Sequence, residues 1–196
     1  MILKEIVLAS ASPRRCQLLR TLGLDVIVAQ STYHEPLIEH LTPRELAIVH
    51  AREKARKVFS RRKDHLIVAA DTVVDVDGVA FGKPSDVNNA LKMLHILSDR
   101  YHLVHTAYTV IDPAANREDN GIESTSVRFF PLSDAEISNY VAGGEPMDKA
   151  GAYGIQGIGA TLVERIDGDF YTVMGLPLGR FVRTLARMGF TLHTPN

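Results

Sequence analysis

Short apolar runs and helix-capping signals alternate along the first third of the chain. Residues 6–9 and 66–70 are apolar runs with the length and composition of buried strands. The second run is predicted to end at Asp71. Ser12 followed by Pro13 is a helix N-cap signal, and it predicts a helix over residues 12–22 that begins directly after the first strand.

Two capping boxes and several turn signals predict the remaining elements. Thr42 with Glu45 begins a helix that extends to about residue 60, and Ser133 with Glu136 begins one that extends to about residue 141. Other predicted elements are a hairpin at 73–81, a helix at 86–97, paired strands at 101–111 and 122–129, two segments at 161–166 and 170–173, and a helix at 177–188. This order predicts a mixed α/β fold, and the sequence has no repeat or long linker, which predicts one domain over residues 1–196.

Composition and charge narrow the possible partners. With 196 residues, 45% of them apolar and 23% charged, the chain is a typical soluble globule. The net charge of −1 gives no general attraction to nucleic acid or to an anionic membrane, and tryptophan is absent. A single cysteine, Cys16, and the lack of a basic and apolar leader favour the cytoplasm. We therefore expect a cytoplasmic protein without a nucleic-acid or membrane role.

The first candidate for chemistry is the start of the first predicted helix. Ser10 precedes the N-cap, and Arg14 and Arg15 lie in the first helical turn. Cations at this end oppose the helix dipole, so their presence favours a docked polyanion such as phosphate. An ordinary capped helix with two solvated arginines explains the same residues equally well.

The second candidate is the acid that follows the second predicted strand. Asp71, with Thr72 after it, could hold a divalent cation or orient a water molecule at this edge of the sheet. Lys54 on the second helix and Lys83 between two turn residues could supply positive charge nearby. The alternative is an aspartate that caps its own turn and lysines that are merely solvated.

The third candidate is a glycine-rich segment at residues 148–159 that matches neither common phosphate-binding loop. Its Gln156 carries an amide that donates and accepts hydrogen bonds, which suits the edge of a pyrimidine. A purely structural loop is the alternative. His102 and His105 are three residues apart on a predicted strand, so they should lie on opposite faces and share no metal.

Five blocks of sequence, taken together, resemble the Maf family of septum-formation-inhibitor proteins, which have nucleoside triphosphate pyrophosphatase activity. The blocks are Leu-Ala-Ser-Ala-Ser-Pro-Arg-Arg at 8–15, Ala-Asp-Thr at 70–72, Gly-Lys-Pro at 82–84, Asp-Lys-Ala-Gly-Ala-Tyr-Gly-Ile-Gln-Gly at 148–157 and Met-Gly-Leu-Pro-Leu at 174–178. The resemblance implies an elongated mixed sheet flanked by helices, in two lobes with a central cleft, related to inosine triphosphate pyrophosphatases. It also implies a homodimer.

The resemblance further implies hydrolysis of the α,β-phosphate bond of a nucleoside triphosphate with a divalent metal, Mg²⁺ or Mn²⁺. Asp71 matches the family's general base and a metal site. The specificity positions match Arg14, Thr72 and Gln156, the basic cleft positions match Lys54 and Lys83, and the first block contains Ser10 and Arg15.

Two details of the resemblance concern specificity and the metal. Gln156 stands where the subgroup that takes 7-methyl-GTP has Glu, so the chain is similar to the subgroup that prefers dTTP and UTP. The family's run of acids before the second helix is reduced here to Glu35, which is expected to join Asp71 at the metal.

A different class of function is a nucleotide-binding regulator that acts on cell division through a protein partner. Asp71 favours the enzyme, because simple nucleotide binding gains little from an acid beside phosphates unless a metal is held.

Overall fold

The computed structural model of the protein describes residues 1–192. Its α-helices are α1 (Pro13–Thr21), α2 (Pro43–Phe59), α3 (Val87–Leu97), α4 (Asp134–Ala142), α5 (Phe170–Met174) and α6 (Leu178–Arg187). Its strands are β1 (Ile2–Leu3), β2 (Glu5–Leu8), β3 (Asp25–Val28), β4 (Ile67–Val76), β5 (Val79–Phe81), β6 (Tyr101–Asp112), β7 (Arg117–Phe129), β8 (Val163–Asp167) and β9 (Thr191–Leu192). Within residues 1–192, no helix combines the length and the apolar composition that crossing a bilayer requires.

The main sheet is mixed, which confirms the predicted α/β class. Its order is β3-β2-β4-β6-β7-β8, and β5 pairs with β4 outside this path. β2 runs parallel to β3 and β4, whereas β4 pairs antiparallel with β5 and β6, and β7 pairs antiparallel with β6 and β8. β1 and β9 form a separate parallel pair.

The edge of β4 is interrupted, and this break opens the sheet. On one side, residues 67–75 pair continuously with β6. On the other side, β4 pairs with β2 at residues 67–68 and with β5 at residues 74–76. Among residues 1–192, no strand therefore pairs with this edge at residues 69–73. This edge lies just beyond the carboxyl end of β2, the position where open α/β sheets bind ligands.

The prediction that the second strand ends at Asp71 is wrong. Asp71 is the fifth residue of the ten-residue β4 and pairs with Ala107 of β6. The fully apolar run stops at Asp71, but antiparallel pairing continues, and Val73 and Val74 are β-branched residues that suit a strand. Because side chains alternate along a strand, Asp71 and Thr72 point to opposite faces of the sheet.

Two large apolar cores lie at opposite ends of β4. Val68 and Ala70 pack with buried residues of α1 and α6 in the first core. Val74 and Val76 pack with buried residues of α3 and α4 in the second. These cores form the two predicted lobes, and the interrupted edge of β4 lies between them.

Small residues let α2 lie close to the sheet. Ala47, Ala51 and Ala55 recur every four residues along one face of the helix, and each is 0% exposed. They pack against apolar residues of the sheet, among them Val73 and Ala107. Since an alanine face has little side-chain volume, the backbone of α2 approaches β4 closely.

The predicted helix starts agree with the structure. Ser12, Thr42 and Ser133 each accept a hydrogen bond from a backbone amide three residues later, the last two within complete capping boxes. The predicted hairpin is the β4–β5 turn at Asp77 and Gly78. Of the two segments at 161–166 and 170–173, the first overlaps β8 at residues 163–166 and the second lies within α5.

The two histidines of β6 have different environments, as the strand period predicts. His102 Nε2 lies 2.7 Å from the Tyr153 hydroxyl, whereas His105 contacts Asp75. Burial, with a smaller contribution from Arg100, lowers the pKa of His102 to about 4. Cys16 is buried in the first apolar core.

Candidate active site

A cavity of about 750 Å³ lies at the interrupted edge of β4, between the two lobes. Its walls come from the β2–α1 connection, the loop before α2, α2 itself, β4, and the glycine-rich segment that follows α4. All the side chains predicted from the sequence to form the site line this one cavity: Ser10, Arg14, Arg15, Glu35, Lys54, Asp71, Thr72, Lys83 and Gln156.

Two carboxylates meet one ammonium at the wall formed by α2 and β4. Lys54 Nζ lies 2.6 Å from Asp71 Oδ1 and 2.6 Å from Glu35 Oε1. Lys54 and Asp71 are buried, whereas the side chain of Glu35 is 44% exposed. Asp71 Oδ2 has no hydrogen-bond partner among residues 1–192. One oxygen of Asp71 is therefore held by the protein, and the other remains available to a ligand or a water molecule.

The charge on Glu35 depends on this neighbourhood. Burial raises the pKa of Glu35, but the attraction and hydrogen bond of Lys54, helped by Lys83 and His50, outweigh it, so that the pKa lies below its usual value. Glu35 is consequently ionised at neutral pH although it lies beside the anionic Asp71.

Arg15 is built into the floor of the cavity. Its Nε donates to Gly175 O at 2.8 Å, its Nη1 to Ser10 Oγ at 3.2 Å and its Nη2 to Thr72 Oγ1 at 3.0 Å. Burial lowers its pKa, against the attraction of Asp71 and other charges. Of its five N–H groups, three are used within the protein, so two can reach a ligand.

Arg14 crosses the cavity instead. It lies in the first turn of α1, and its Nη1 donates to Asp148 Oδ2 of the opposite wall at 3.0 Å. Lys149 Nζ contacts the other oxygen of the same carboxylate at 2.7 Å. Burial raises the pKa of Asp148, but Lys149 and Arg14 lower it more strongly. Asp148 thus neutralises two cations that a phosphate could bind.

Like Glu35, Gln156 and Lys83 are exposed. The Gln156 side chain makes no hydrogen bond to the protein among residues 1–192. Lys83 lies in the connection between β5 and α3. Its positive charge contributes to the lowered pKa of Glu35. The side chains of Gln156 and Lys83 are both free to contact a ligand.

Sequence reasoning missed one pair of residues that lines the cavity. His50 is 3% exposed, and its Nδ1 lies 3.1 Å from the Tyr33 hydroxyl. Burial lowers the pKa of His50 despite the raising effect of Asp71 and Glu35. His50 lies one helical turn before Lys54 on α2, and that spacing was the one signal in the sequence that could have placed it here.

The residues at this wall fit a hard divalent cation. Mg²⁺ is commonly bound through one or two carboxylates, with water and substrate phosphates as its other ligands. Asp71 and Glu35 already share one cation, the Lys54 ammonium, at hydrogen-bond distance. Among residues 1–192, no group of three or more His, Cys, Asp or Glu side chains is arranged to bind a metal. A metal held by Asp71 and Glu35 would therefore need further ligands, such as water or the oxygens of a bound phosphate.

This combination of fold and cavity defines a class: α/β proteins with paired carboxylates beside a helix N-terminus in one cavity, an arrangement suited to a phosphorylated ligand. The comparison with known proteins is more specific. The profile of the Maf-like protein family matches residues 5–188, and the chain belongs to the Maf family.

Similar curated proteins come from bacteria and archaea. The dTTP/UTP pyrophosphatase of Dictyoglomus turgidum is 44% identical over 190 residues, which cover 96% of this chain and 98% of that protein. The dTTP/UTP pyrophosphatase of Methanosarcina barkeri is 43% identical, with coverage of 97% for both chains. Among solved structures, the Ham1 protein of Staphylococcus aureus is similar with a TM-score of 0.46 and 17% identity, covering 82% of this chain and 80% of that chain.

Proposed function

We propose that this protein hydrolyses dTTP and UTP to the corresponding monophosphate and pyrophosphate. One observation supports this proposal above all. The carboxylates of Asp71 and Glu35 lie in the same cavity as the N-terminus of α1, which carries Arg14 and Arg15. The 44% identity to proteins named dTTP/UTP pyrophosphatase supports the same activity.

The basic residues accommodate the triphosphate. A nucleoside triphosphate carries nearly four negative charges, which the overall charge of the chain would not attract. The two unused N–H groups of Arg15 and the backbone amide of Arg14, in the first turn of α1, bind phosphate oxygens. Arg14 exchanges Asp148 for phosphate, and Lys83 adds a further cation at the mouth of the cavity. These groups stabilise the pyrophosphate as it leaves.

Asp71 is the general base for the attacking water. Its Oδ1 is fixed by Lys54, and its Oδ2 accepts the proton of a water molecule that lies between β4 and the α-phosphorus. The new bond forms between the water oxygen and the α-phosphorus, the bond from the α-phosphorus to the bridging oxygen breaks, and pyrophosphate departs. Asp71 and Glu35 would also hold Mg²⁺ or Mn²⁺, which when bound neutralises phosphate charge and lowers the pKa of a coordinated water.

The test of this function is product analysis. The protein is incubated with each common nucleoside triphosphate and Mg²⁺ or Mn²⁺, and the products are separated by ion-exchange chromatography. We expect dTMP or UMP with an equal amount of pyrophosphate. Nucleoside diphosphate with inorganic phosphate as the first products would contradict attack at the α-phosphorus, and nucleotide binding without turnover would support a regulator instead.

Arg14→Ala is expected to lower kcat/KM by about 10- to 150-fold, because a charge-assisted hydrogen bond to phosphate contributes about 1.5 to 3 kcal/mol. Arg20→Ala is the matched control, since Arg20 is exposed in the last turn of the same helix. Steady-state kinetics with dTTP measure both variants. An Arg14→Ala variant with the kinetics of the Arg20 control would show that Arg14 is only a surface partner of Asp148.

Gln156→Glu is expected to reduce selectivity for dTTP and UTP. The change keeps the size of the side chain but removes its donor and adds a charge, so the imide edge of thymine or uracil loses one of two hydrogen bonds. The measurement is kcat/KM over a panel of triphosphates that includes GTP. Gln17→Glu, an exposed position on α1, serves as control. An unchanged ranking of the triphosphates would mean that Gln156 does not read the base.

A further inference from the structure

Two side chains outside the cavity hold the loop that presents Gln156. Tyr140 belongs to α4, and Glu145 begins the 3-10 turn that follows this helix. Neither lines the cavity, yet Tyr140 bonds to the backbone before Gln156 and Glu145 bonds to the backbone after it. We refer to Tyr140 and Glu145 as the loop brace.

Glu145 fixes the segment after Gln156. Its Oε2 accepts a hydrogen bond from the Ile158 amide at 3.0 Å, and its Oε1 accepts one from the Gly159 amide at 3.1 Å. Its backbone oxygen accepts from Lys149 Nζ at 2.5 Å. The carboxylate therefore satisfies two successive backbone donors, and a carboxylate with two oxygens is the side chain that can do so.

Tyr140 fixes the segment before Gln156 and joins it to Glu145. The Gly154 amide donates to the Tyr140 hydroxyl at 3.2 Å, and the hydroxyl donates to Glu145 Oε1 at 3.1 Å. The ring is 4% exposed and packs in the second apolar core. A single buried hydroxyl thus links both sides of the loop.

Two glycines of the loop lie so close to the loop brace that a side chain would not fit there. A Cβ at Gly159 would lie 2.4 Å from the Gly154 oxygen and 2.7 Å from the Tyr140 hydroxyl. Gly157 has a φ of +70°, and a Cβ there would lie 2.9 Å from Glu145 Oε2. The backbone reaches the brace only because these positions lack side chains.

Gln156 lies between the braced segments with an amide that has no protein partner among residues 1–192. An amide that contacts a base at the right distance needs a fixed backbone, because small displacements weaken oriented hydrogen bonds steeply. We propose that Glu145 and Tyr140 are positioning residues for base selection, which act by fixing the backbone that carries Gln156. This inference rests on the proposed reading of the pyrimidine by Gln156.

The test compares selectivity rather than activity alone. The quantity measured is the ratio of kcat/KM for dTTP to that for dCTP, since cytosine presents a different hydrogen-bonding edge. Tyr140→Phe removes one hydroxyl and Glu145→Gln removes one acceptor. We expect the ratio to fall about fivefold in Tyr140→Phe, because this variant loses hydrogen bonds of a neutral hydroxyl. We expect a fall of about tenfold or more in Glu145→Gln, because this variant loses a hydrogen bond to a charged carboxylate. Gln156→Ala should lower the ratio as well.

The matched control for Glu145→Gln is Glu136→Gln. Glu136 also accepts a hydrogen bond from a backbone amide, in the capping box of α4. Among residues 1–192, its carboxylate bonds to Ser133 and makes no hydrogen bond to the Gln156 loop. Its replacement should lower the melting temperature without changing the ratio. If Glu145→Gln does not fold, Tyr140→Phe provides the test, because it keeps the buried ring.

Double variants separate positioning from a general structural effect. In the Gln156→Ala background, Glu145→Gln should produce no further fall in the ratio, because the two residues act through one contact. A lowered ratio in Gln156→Ala with an unchanged ratio in both brace variants would overturn the positioning role and leave the proposed function intact. An unchanged ratio in Gln156→Ala itself would overturn base reading by Gln156 and the positioning role together.

Discussion

Asp71→Asn is expected to lower kcat by about 10²- to 10⁴-fold, the usual effect of removing a general base. Asparagine keeps the shape of the side chain and an oxygen that can accept from Lys54, but it cannot take a proton from water. A weaker metal site would increase the loss. Nucleotide binding should persist, and titration with a triphosphate analogue that cannot be cleaved between the α- and β-phosphates measures it.

The matched control is Asp75→Asn on the same strand and the same face. The side chain of Asp75 is 16% exposed and bonds to His105 and to the Gly78 amide, outside the cavity. Its replacement should cost stability but leave kcat nearly unchanged. Asp71→Asn should remain folded by circular dichroism, since Lys54 keeps Glu35 as its partner. Residual turnover above about a tenth of the wild type would be a much smaller loss than removal of a general base causes. It would mean that another carboxylate, such as Glu35, is the general base.

Lys54→Met is expected to lower kcat/KM by about 10²-fold or more, a loss comparable with the removal of one preorganised donor to developing charge. Methionine retains the length and apolar stem of lysine, so the packing of α2 against the sheet should persist. What disappears is the ammonium that joins Asp71 to Glu35. The two carboxylates would then repel each other, and neither would keep its orientation.

The pH profile gives this variant a distinctive signature. In the wild type, Lys54 is the main reason why the pKa of Glu35 lies below its usual value despite burial. Without Lys54, the effect of burial would raise that pKa relative to the wild type, so Glu35 would take up a proton at higher pH. The acidic limb of kcat/KM against pH should therefore move to higher pH in Lys54→Met.

Lys57→Met is the control for this change, because Lys57 is exposed on the same helix. It should keep both the rate and the pH profile of the wild type. Identical acidic limbs in Lys54→Met and the wild type would show that Glu35 does not control the reaction.

Local chemistry in the sequence predicted the helix starts well. Thr42 with Glu45 and Ser133 with Glu136 form the capping boxes that their spacing indicates, and Ser12 caps α1. These signals succeed because a cap depends on residues within one helical turn. The alternation of β6 also placed His102 and His105 correctly on different faces.

Predictions failed where pairing between distant strands decides the outcome. The apolar run before Asp71 indicated a strand end, but β6 continues the ladder past it. The three anchors of Arg15 show the same limit, since one of them, Gly175 O, lies 160 residues away. No local pattern contains such contacts. The family resemblance predicted that the site residues lie together, which the periodicity of the sequence could not predict. It did not indicate that His50 and Tyr33 also line the cavity.

The alanine face of α2 has a consequence for any systematic mutagenesis of this protein. Ala47, Ala51 and Ala55 carry no functional group, yet their small volume sets how closely the helix approaches β4. A bulkier residue at Ala51 would lift the helix and lengthen the contact between Lys54 and Asp71. In an activity screen these alanines would score like catalytic positions. The loss of activity at these positions should follow the volume of the introduced side chain. Grouping the substitutions by polarity or charge would hide this dependence on volume.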